Sequence, residues 1–258
     1  AVTVNEDSGQ QMIALAGLTA GPANESGQTL TLSASSDNEA LVTNASFSFS
    51  AIANNQATLR FAELAAQFGT ANVTETIDDG AGSNASQSFV FTAISENDVP
   101  TLDAITALTI DEDSSTQMVT LSGISAGPAN ESSQVVLLSA TSGDQTLISD
   151  ATINISAISN GSATLSFDLV ADAFGSTMIT VVANDQQGEN NTISQAFMVT
   201  ISPLNDDPTI GAINAVTVDE DAGQQMVTLT GLTAGPANES GQTLTLSASS
   251  DNQARETN

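Results

Sequence analysis

The sequence predicts an all-β protein: tandem antiparallel β-sandwich modules of Greek-key type, with about seven strands each. Three observations predict it. Apolar and polar residues alternate with a period of two, the chain repeats itself about every 107 residues, and its composition favours strands and turns over helices.

The composition bounds the rest. The chain has 258 residues, of which 40% are hydrophobic and only 3% aromatic. That apolar share is enough for packed cores, and the length accommodates two modules of roughly a hundred residues with a remainder. Cys, His, Trp and Tyr are absent, which removes disulfides, thiolate chemistry, the commonest general base and the commonest transition-metal ligand. No apolar run is long enough to span a bilayer, and Ala1 does not open a signal peptide, so an export signal or anchor is expected outside this segment. The 30 acidic residues face only Arg60 and Arg255, giving a net charge of −28. The carboxylates must therefore be solvated, neutralised by bound cations or left repelling one another. Nucleic acid and anionic membranes are poor partners for such a surface, and no membrane insertion is expected in this segment.

The repeat is the strongest signal. Ala1 to Met12 aligns without gaps with Ala107 to Met118 and with Ala215 to Met226, and each copy runs on into Ala-Gly-Pro-Ala-Asn-Glu-Ser at positions 20–26, 126–132 and 234–240. Ala57 to Phe61 matches Ala163 to Phe167, and Phe68-Gly69 matches Phe174-Gly175. The expected modules are 1–98, 99–206 and an incomplete N-terminal half at 207–258. The third segment shares about 36 of 44 residues with the first, whereas the first and second share about 22. This fits a window cut from a longer array, or a subunit completed by its neighbour.

In the second module the strands are expected near 108–110, 118–124, 135–142, 151–157, 163–167, 177–183 and 193–202. Val119 and Leu121 alternate with Thr120 and Ser122, and Phe197, Val199 and Ile201 alternate with polar or exposed residues. Residues 62–67 and 168–173 form at most a single turn. One residue breaks the pattern: Glu75 stands between Val73 and Ile77, where the second module has Val181. Either that strand bulges or the carboxylate reaches solvent. The third segment is expected to hold three strands whose apolar residues, Val227, Leu229, Leu244 and Leu246, lack a covering sheet. Met12, Met118 and Met226, at one register, are expected to fill core or boundary space.

Acidic and amide residues recur at equivalent positions. One set follows the first strand: Glu6 and Asp7, then Asp111, Glu112 and Asp113, then Asp219, Glu220 and Asp221. A second lies between modules: Glu96, Asn97 and Asp98, then Asn205, Asp206 and Asp207. A third precedes the last strand: Asp78 and Asp79, then Asn184 and Asp185. Loops dense in carboxylate and amide oxygens are what a hard cation needs, and Ca²⁺ accepts six to eight such oxygens in irregular geometry. The competing explanation is turn chemistry, in which Asn and Asp cap turns and Pro fixes φ. Nine Asn-x-Ser/Thr patterns are explained mostly by the abundance of these residues.

Val4-Asn5-Glu6-Asp7 resembles the Val-x-Glu-Asn of cadherin repeats, and Asn97-Asp98-Val99-Pro100 and Asn205-Asp206-Asp207-Pro208 resemble the cadherin linker. Asn97 to Asp113 and Asn205 to Asp221 are similar to the junctions of the cadherin-like and Ig-like tandem repeats of large bacterial surface adhesins. The resemblance covers the whole chain. It implies extracellular, cell-surface modules that bind Ca²⁺ between domains and act as rigid spacers or adhesive stalks, joined end to end to like modules or identical subunits, with a cell-surface or glycan target. The family's Leu-Asp-Arg-Glu is missing, and Ala-Gly-Pro-Ala-Asn-Glu-Ser stands where its Asp-x-Asp would be, which puts a full three-ion linker in doubt.

The functional expectation is a non-catalytic structural or adhesive repeat. The alternatives are a filament subunit that polymerises head to tail by completing its partial third module with a neighbour, and a carbohydrate-binding module. Paired carboxylates raise the idea of a glycosidase, but these acids recur at repeated positions and no Trp or Tyr offers a sugar platform.

Overall fold

The computed structural model describes residues 1–251. They form strands, three-residue 3-10 turns and loops. The chain divides into two compact units. The first comprises Ala1–Thr101, Ser125–Leu137 and Asn184–Thr192; the second comprises Leu102–Ile124, Leu138–Ala183 and the chain from Ile193 onward.

Unit 1 holds a sandwich of β1 (Val2–Asn5), β2 (Gln11–Ala16), β3 (Thr31–Ser36), β4 (Ser48–Phe49), β5 (Gln56–Phe61), β6 (Gly69–Asp78) and β7 (Asn84–Ile94). One sheet runs β1-β7-β6-β3 and the other β2-β5-β4. β1 lies parallel to β7, with Val4 opposite Ala93; the other pairs are antiparallel. The inward residues of the two sheets meet in a core centred on Leu41, Val42, Leu59, Phe61, Val73 and Phe91. Phe61 is its hub, with ring centroids 5.6, 6.2 and 5.2 Å from Phe47, Phe89 and Phe91. With so few aromatics in the chain, placing four in one cluster supplies much of the large apolar area that this core buries.

A second sandwich, in unit 2 but for the end residues Leu137, Asn184 and Thr192, repeats the plan with β8 (Leu108–Asp111), β9 (Gln117–Leu121), β10 (Leu137–Ser142), β11 (Asn154–Ile155), β12 (Ala163–Phe167), β13 (Gly175–Asn184) and β14 (Thr192–Ser202). Its sheets are β10-β13-β14-β8 and β11-β12-β9, and β8 again runs parallel to the last strand. The period-two reading holds: Leu121, Phe197, Val199 and Ile201 are buried while Met118 and Thr120 point out. Three expected strands are shorter, and that at 135–142 begins only at Leu137. Residues 151–157 give only Asn154–Ile155, because a 3-10 turn at Asp150–Thr152, capped by the Ser149 side chain, occupies the start. The strand expected to reach Ile124 stops at Leu121, since Gly123 takes a left-handed φ of 66°.

Glu75 is resolved without a bulge. β6 pairs in unbroken register with β7, Glu75 opposite Gln87, so its side chain shares the inward face with Val73 and Ile77. It lines an open cavity of about 640 Å³ between the sheets, together with Ile13, Leu15, Leu32, Ile77 and Phe89. Burial pushes its carboxyl above the usual range.

The methionine expectation is overturned: Met12, Met118 and Met226 are all exposed, Met226 by 94%. Met12 and Met118 have the outward parity of their strands, beside the inward Ile13 and Val119, and Met226 lies in no strand. The three strands expected in the third segment are also overturned. Among the described residues of 207–251 there is a 3-10 turn at Ala237–Glu239 and a bridge between Thr209 and Thr233, but no strand. The topology gives the reason. In the first sandwich β1 pairs with β7, β2 with β5 and β3 with β6, so no two of the first three strands pair with each other. Every ladder partner lies in the second half of a module, which the third segment does not contain. Val227, Leu229, Leu244 and Leu246 are exposed, as expected from the sequence.

Candidate cation sites

Two clusters, built from equivalent residues, gather many of the acids singled out in the sequence. The first lies wholly in unit 1 and the second wholly in unit 2.

Each begins at the end of the first strand. The Glu6 and Glu112 backbone N–H groups extend the parallel ladder by donating to Ile94 O (2.8 Å) and Ser202 O (2.9 Å). Their carboxylates turn inward and are buried, Glu112 to 1% exposure. Glu6 Oε1 accepts the Glu96 N–H at 2.9 Å, and Glu112 Oε1 accepts the Leu204 N–H at 2.9 Å. Asn130 and Asn238 also donate to these carboxylates at 3.2–3.4 Å. The next residue, Asp7 or Asp113, takes a left-handed φ of 59° or 61°, a conformation Asp tolerates better than most residues. Asp7 Oδ1 accepts the Ala66 N–H at 2.9 Å and Asp113 Oδ1 the Asp172 N–H at 3.1 Å.

The linker residues meet the Ala-Gly-Pro-Ala-Asn-Glu-Ser loop of the following repeat. Glu131 Oε1 accepts the Asp98 N–H and Glu239 Oε1 the Asp206 N–H, both at 2.9 Å. Gln134 donates to Asn97 Oδ1 at 3.1 Å and Gln242 to Asn205 Oδ1 at 3.0 Å. Gly127 and Gly235 permit this approach: a Cβ on either would overlap the Oε2 of Glu131 or Glu239. The Gly-Pro pair of this loop is what a tight turn needs. The loop is a turn, yet its Asn and Glu, and the Gln two residues after the motif, are central to both clusters.

These networks leave acceptors without donors. Asp98 Oδ2, Asn130 Oδ1, Glu131 Oε2 and Gln134 Oε1 in the first cluster, and Asp206 Oδ2 and Glu239 Oε2 in the second, are buried with no hydrogen-bond partner. Glu131 and Glu239 are 4% and 6% exposed. A buried carboxylate oxygen that lacks a donor is costly. Burial, reinforced by Asp7, pushes the Asp98 carboxyl up; burial and then Asp113, Glu239, Asp172 and Glu112 do the same to Asp206. Asp113, Asp172 and Asp206 each present an oxygen within 4.8 Å of the others. All these donor atoms are oxygens, the set suited to a hard cation of calcium's size.

The remaining acids fall elsewhere. Asp185 is buried beside the first cluster, but its Oδ1 accepts the Gln187 N–H and its Oδ2 the Asn97 side chain at 3.0 Å. Asn184 Oδ1 accepts the Gln186 N–H. Asp78 and Asp79 cap their own hairpin, accepting from Gly80, Ala81 and Ser83. Glu96 is exposed and accepts from Asn5. Asp111, Asp207, Asp219, Glu220 and Asp221 are exposed. For Asp78, Asp79 and Asn184, turn chemistry accounts for the contacts seen.

No family model matches the chain, and no curated protein matches it. Among solved structures it is similar to the human desmocollin-1 ectodomain (14% identity, 85% of this chain and 42% of that one, TM-score 0.35) and to human protocadherin-24 EC1-2 (13% identity, 68% and 83%, TM-score 0.34). It is also similar to an endo-fucoidan hydrolase of glycoside hydrolase family 107 (14% identity, TM-score 0.31), covering 79% of this chain but only 28% of that one. Among the described residues no helix is long and apolar enough to cross a membrane.

Proposed function

We propose that this chain is a non-catalytic, extracellular structural or adhesive repeat, in which calcium ions stiffen successive β-sandwich modules into a rod-like spacer of a cell-surface adhesin. The modules are 1–98, 99–206 and the segment from 207. The observation that carries the reading is the pair of buried, donor-free carboxylate oxygens, Glu131 Oε2 and Glu239 Oε2, at equivalent places in two clusters. Each cluster draws on three stretches: the end of a module's first strand, the linker after its last strand, and the loop of the next repeat. A cation bound there ties one repeat to the next and removes the repulsion among their carboxylates.

The test is thermal unfolding with millimolar Ca²⁺, with Mg²⁺ at equal ionic strength, and with excess chelator. A ligand held only by the folded chain stabilises it by about 2.7 kcal/mol at a hundredfold excess over Kd. The expected result is a clear rise with Ca²⁺ that Mg²⁺ does not reproduce. Superimposable curves would reduce the clusters to turn chemistry and surface charge.

A further inference from the structure

We propose that the second cluster is a distinct and tighter divalent-cation site than the first, and that Asp172 makes it so. The inference rests on the calcium reading above and goes beyond it by ranking the two sites.

The loop after the fifth strand of each sandwich has one backbone and two side chains. Ala66 and Asp172 occupy equivalent positions, with φ of 53° and 56°. Their N–H groups bind equivalent Asp7 and Asp113 oxygens. The loops differ at this point in the carboxylate itself, which the first cluster lacks. In the second cluster it completes the close set with Asp113 and Asp206.

Independent of this set, Glu239 is nine-tenths buried and leaves Oε2 without a donor. A Cβ on Gly235 would overlap that oxygen and lie 3.4 Å from the Asp206 Cβ, so the bare oxygen sits beside the Asp206 side chain. A cavity of about 210 Å³ adjoins Glu239, lined also by Glu112, Leu204, Asn205, Asn238 and Gln242. The first cluster does have an additional buried carboxylate in Asp185, but both of its oxygens already accept N–H groups. Charge count is a main determinant of calcium affinity. The cluster with Asp172 should fill first as calcium rises.

Isothermal titration of the whole chain with Ca²⁺ reads this directly. The wild type should show two classes of site separated by about tenfold or more in Kd. Asp172→Asn keeps a residue suited to the left-handed backbone and should abolish the tighter class; Ala66→Asp should tighten the weaker one. Circular dichroism confirms that each variant is folded. If Asp172→Asn leaves both classes unchanged, this proposal falls while the calcium reading stands. If the wild type binds no Ca²⁺ at all, the calcium reading falls and this proposal with it.

Discussion

Replacing Glu131 by Gln separates an ion-binding carboxylate from a merely structural one, because the two roles predict opposite signs. The amide keeps an oxygen to accept the Asp98 N–H, now bound at 2.9 Å. It puts an N–H donor where the bare Oε2 stands, beside the Asp98 side chain, whose Oδ2 is equally bare. Without metal, the substitution removes one buried charge and supplies a donor to an unsatisfied acceptor. Leaving a buried group unsatisfied costs about 1–3 kcal/mol, so the metal-free variant should be more stable than the wild type by about that amount. With metal, the variant loses a charged ligand; a tenfold loss of affinity corresponds to about 1.4 kcal/mol less calcium-dependent stabilisation. Urea unfolding at fixed pH, with chelator and with Ca²⁺, measures both. A Glu131→Gln chain that is destabilised under chelator, or whose calcium response equals the wild type's, would refute the reasoning.

Other perturbations follow from the same geometry. Glu75→Val restores the residue type of Val181 to the inward face of β6 and should stabilise the first sandwich by about 1 kcal/mol, read as a higher urea midpoint; a lower midpoint would mean the carboxylate has a role in the cleft. Phe61→Ala removes the hub of the aromatic cluster and should cost about 3–5 kcal/mol, visible as early loss of the first sandwich on heating. For pH, the signs differ between two groups. Asp98, Asp206 and Glu75 are raised in the folded chain, so their penalty is present above their folded pKa and relieved as pH falls toward the ordinary carboxylate range. Asp37, held down by Asn72, Asp144, held down by Thr146, and Asp150, held down by Ser142 and Gln145, contribute stability at neutral pH that is lost as pH falls through their lowered pKa. Under chelator, mild acidification should therefore first raise the melting temperature. With Ca²⁺ the same acidification should shrink the calcium-dependent shift, as protons compete for Asp98 and Asp206. A calcium shift that does not change with pH would exclude these two aspartates as ligands.

Much of the fold was legible because period-two patterning is a local property. Phe197, Val199 and Ile201 declare an inward face in the sequence, and the structure buries all three. Pairing is not local. Nothing in Val2–Asn5 states that its partner is Asn84–Ile94, or that the two run parallel. The expectation of three strands in the third segment therefore failed: propensity was present, but every ladder partner was absent. The methionines show a narrower limit: an apolar residue repeated at one register suggests core or boundary space, but the strand parity of Met12 and Met118 puts them outside.

The site divides the same way. Glu6, Asp7, Asp98, Glu112, Asp113 and Asp206 were legible as recurrent acids, and the structure brings them into the two clusters. Glu131 and Glu239 were not, because in sequence they sit 33 residues beyond the linker aspartates whose N–H groups they hold. A signal was available nonetheless. Ala-Gly-Pro-Ala-Asn-Glu-Ser is identical in three copies, whereas the first and second repeats agree at only about half of their aligned positions. A tight turn alone needs the Gly and Pro; it does not need the same Asn and Glu each time. Unvarying polar residues outside the turn-forming positions mark a contact made by the side chains. Here the contact is one that leaves a carboxylate oxygen bare. In a chain with no lysine, and with Arg60 the only arginine among the described residues, the protein itself has almost no charge to offer it. On the calcium reading proposed above, the compensating charge comes from solution, and the stability of these clusters should then follow the ions around them.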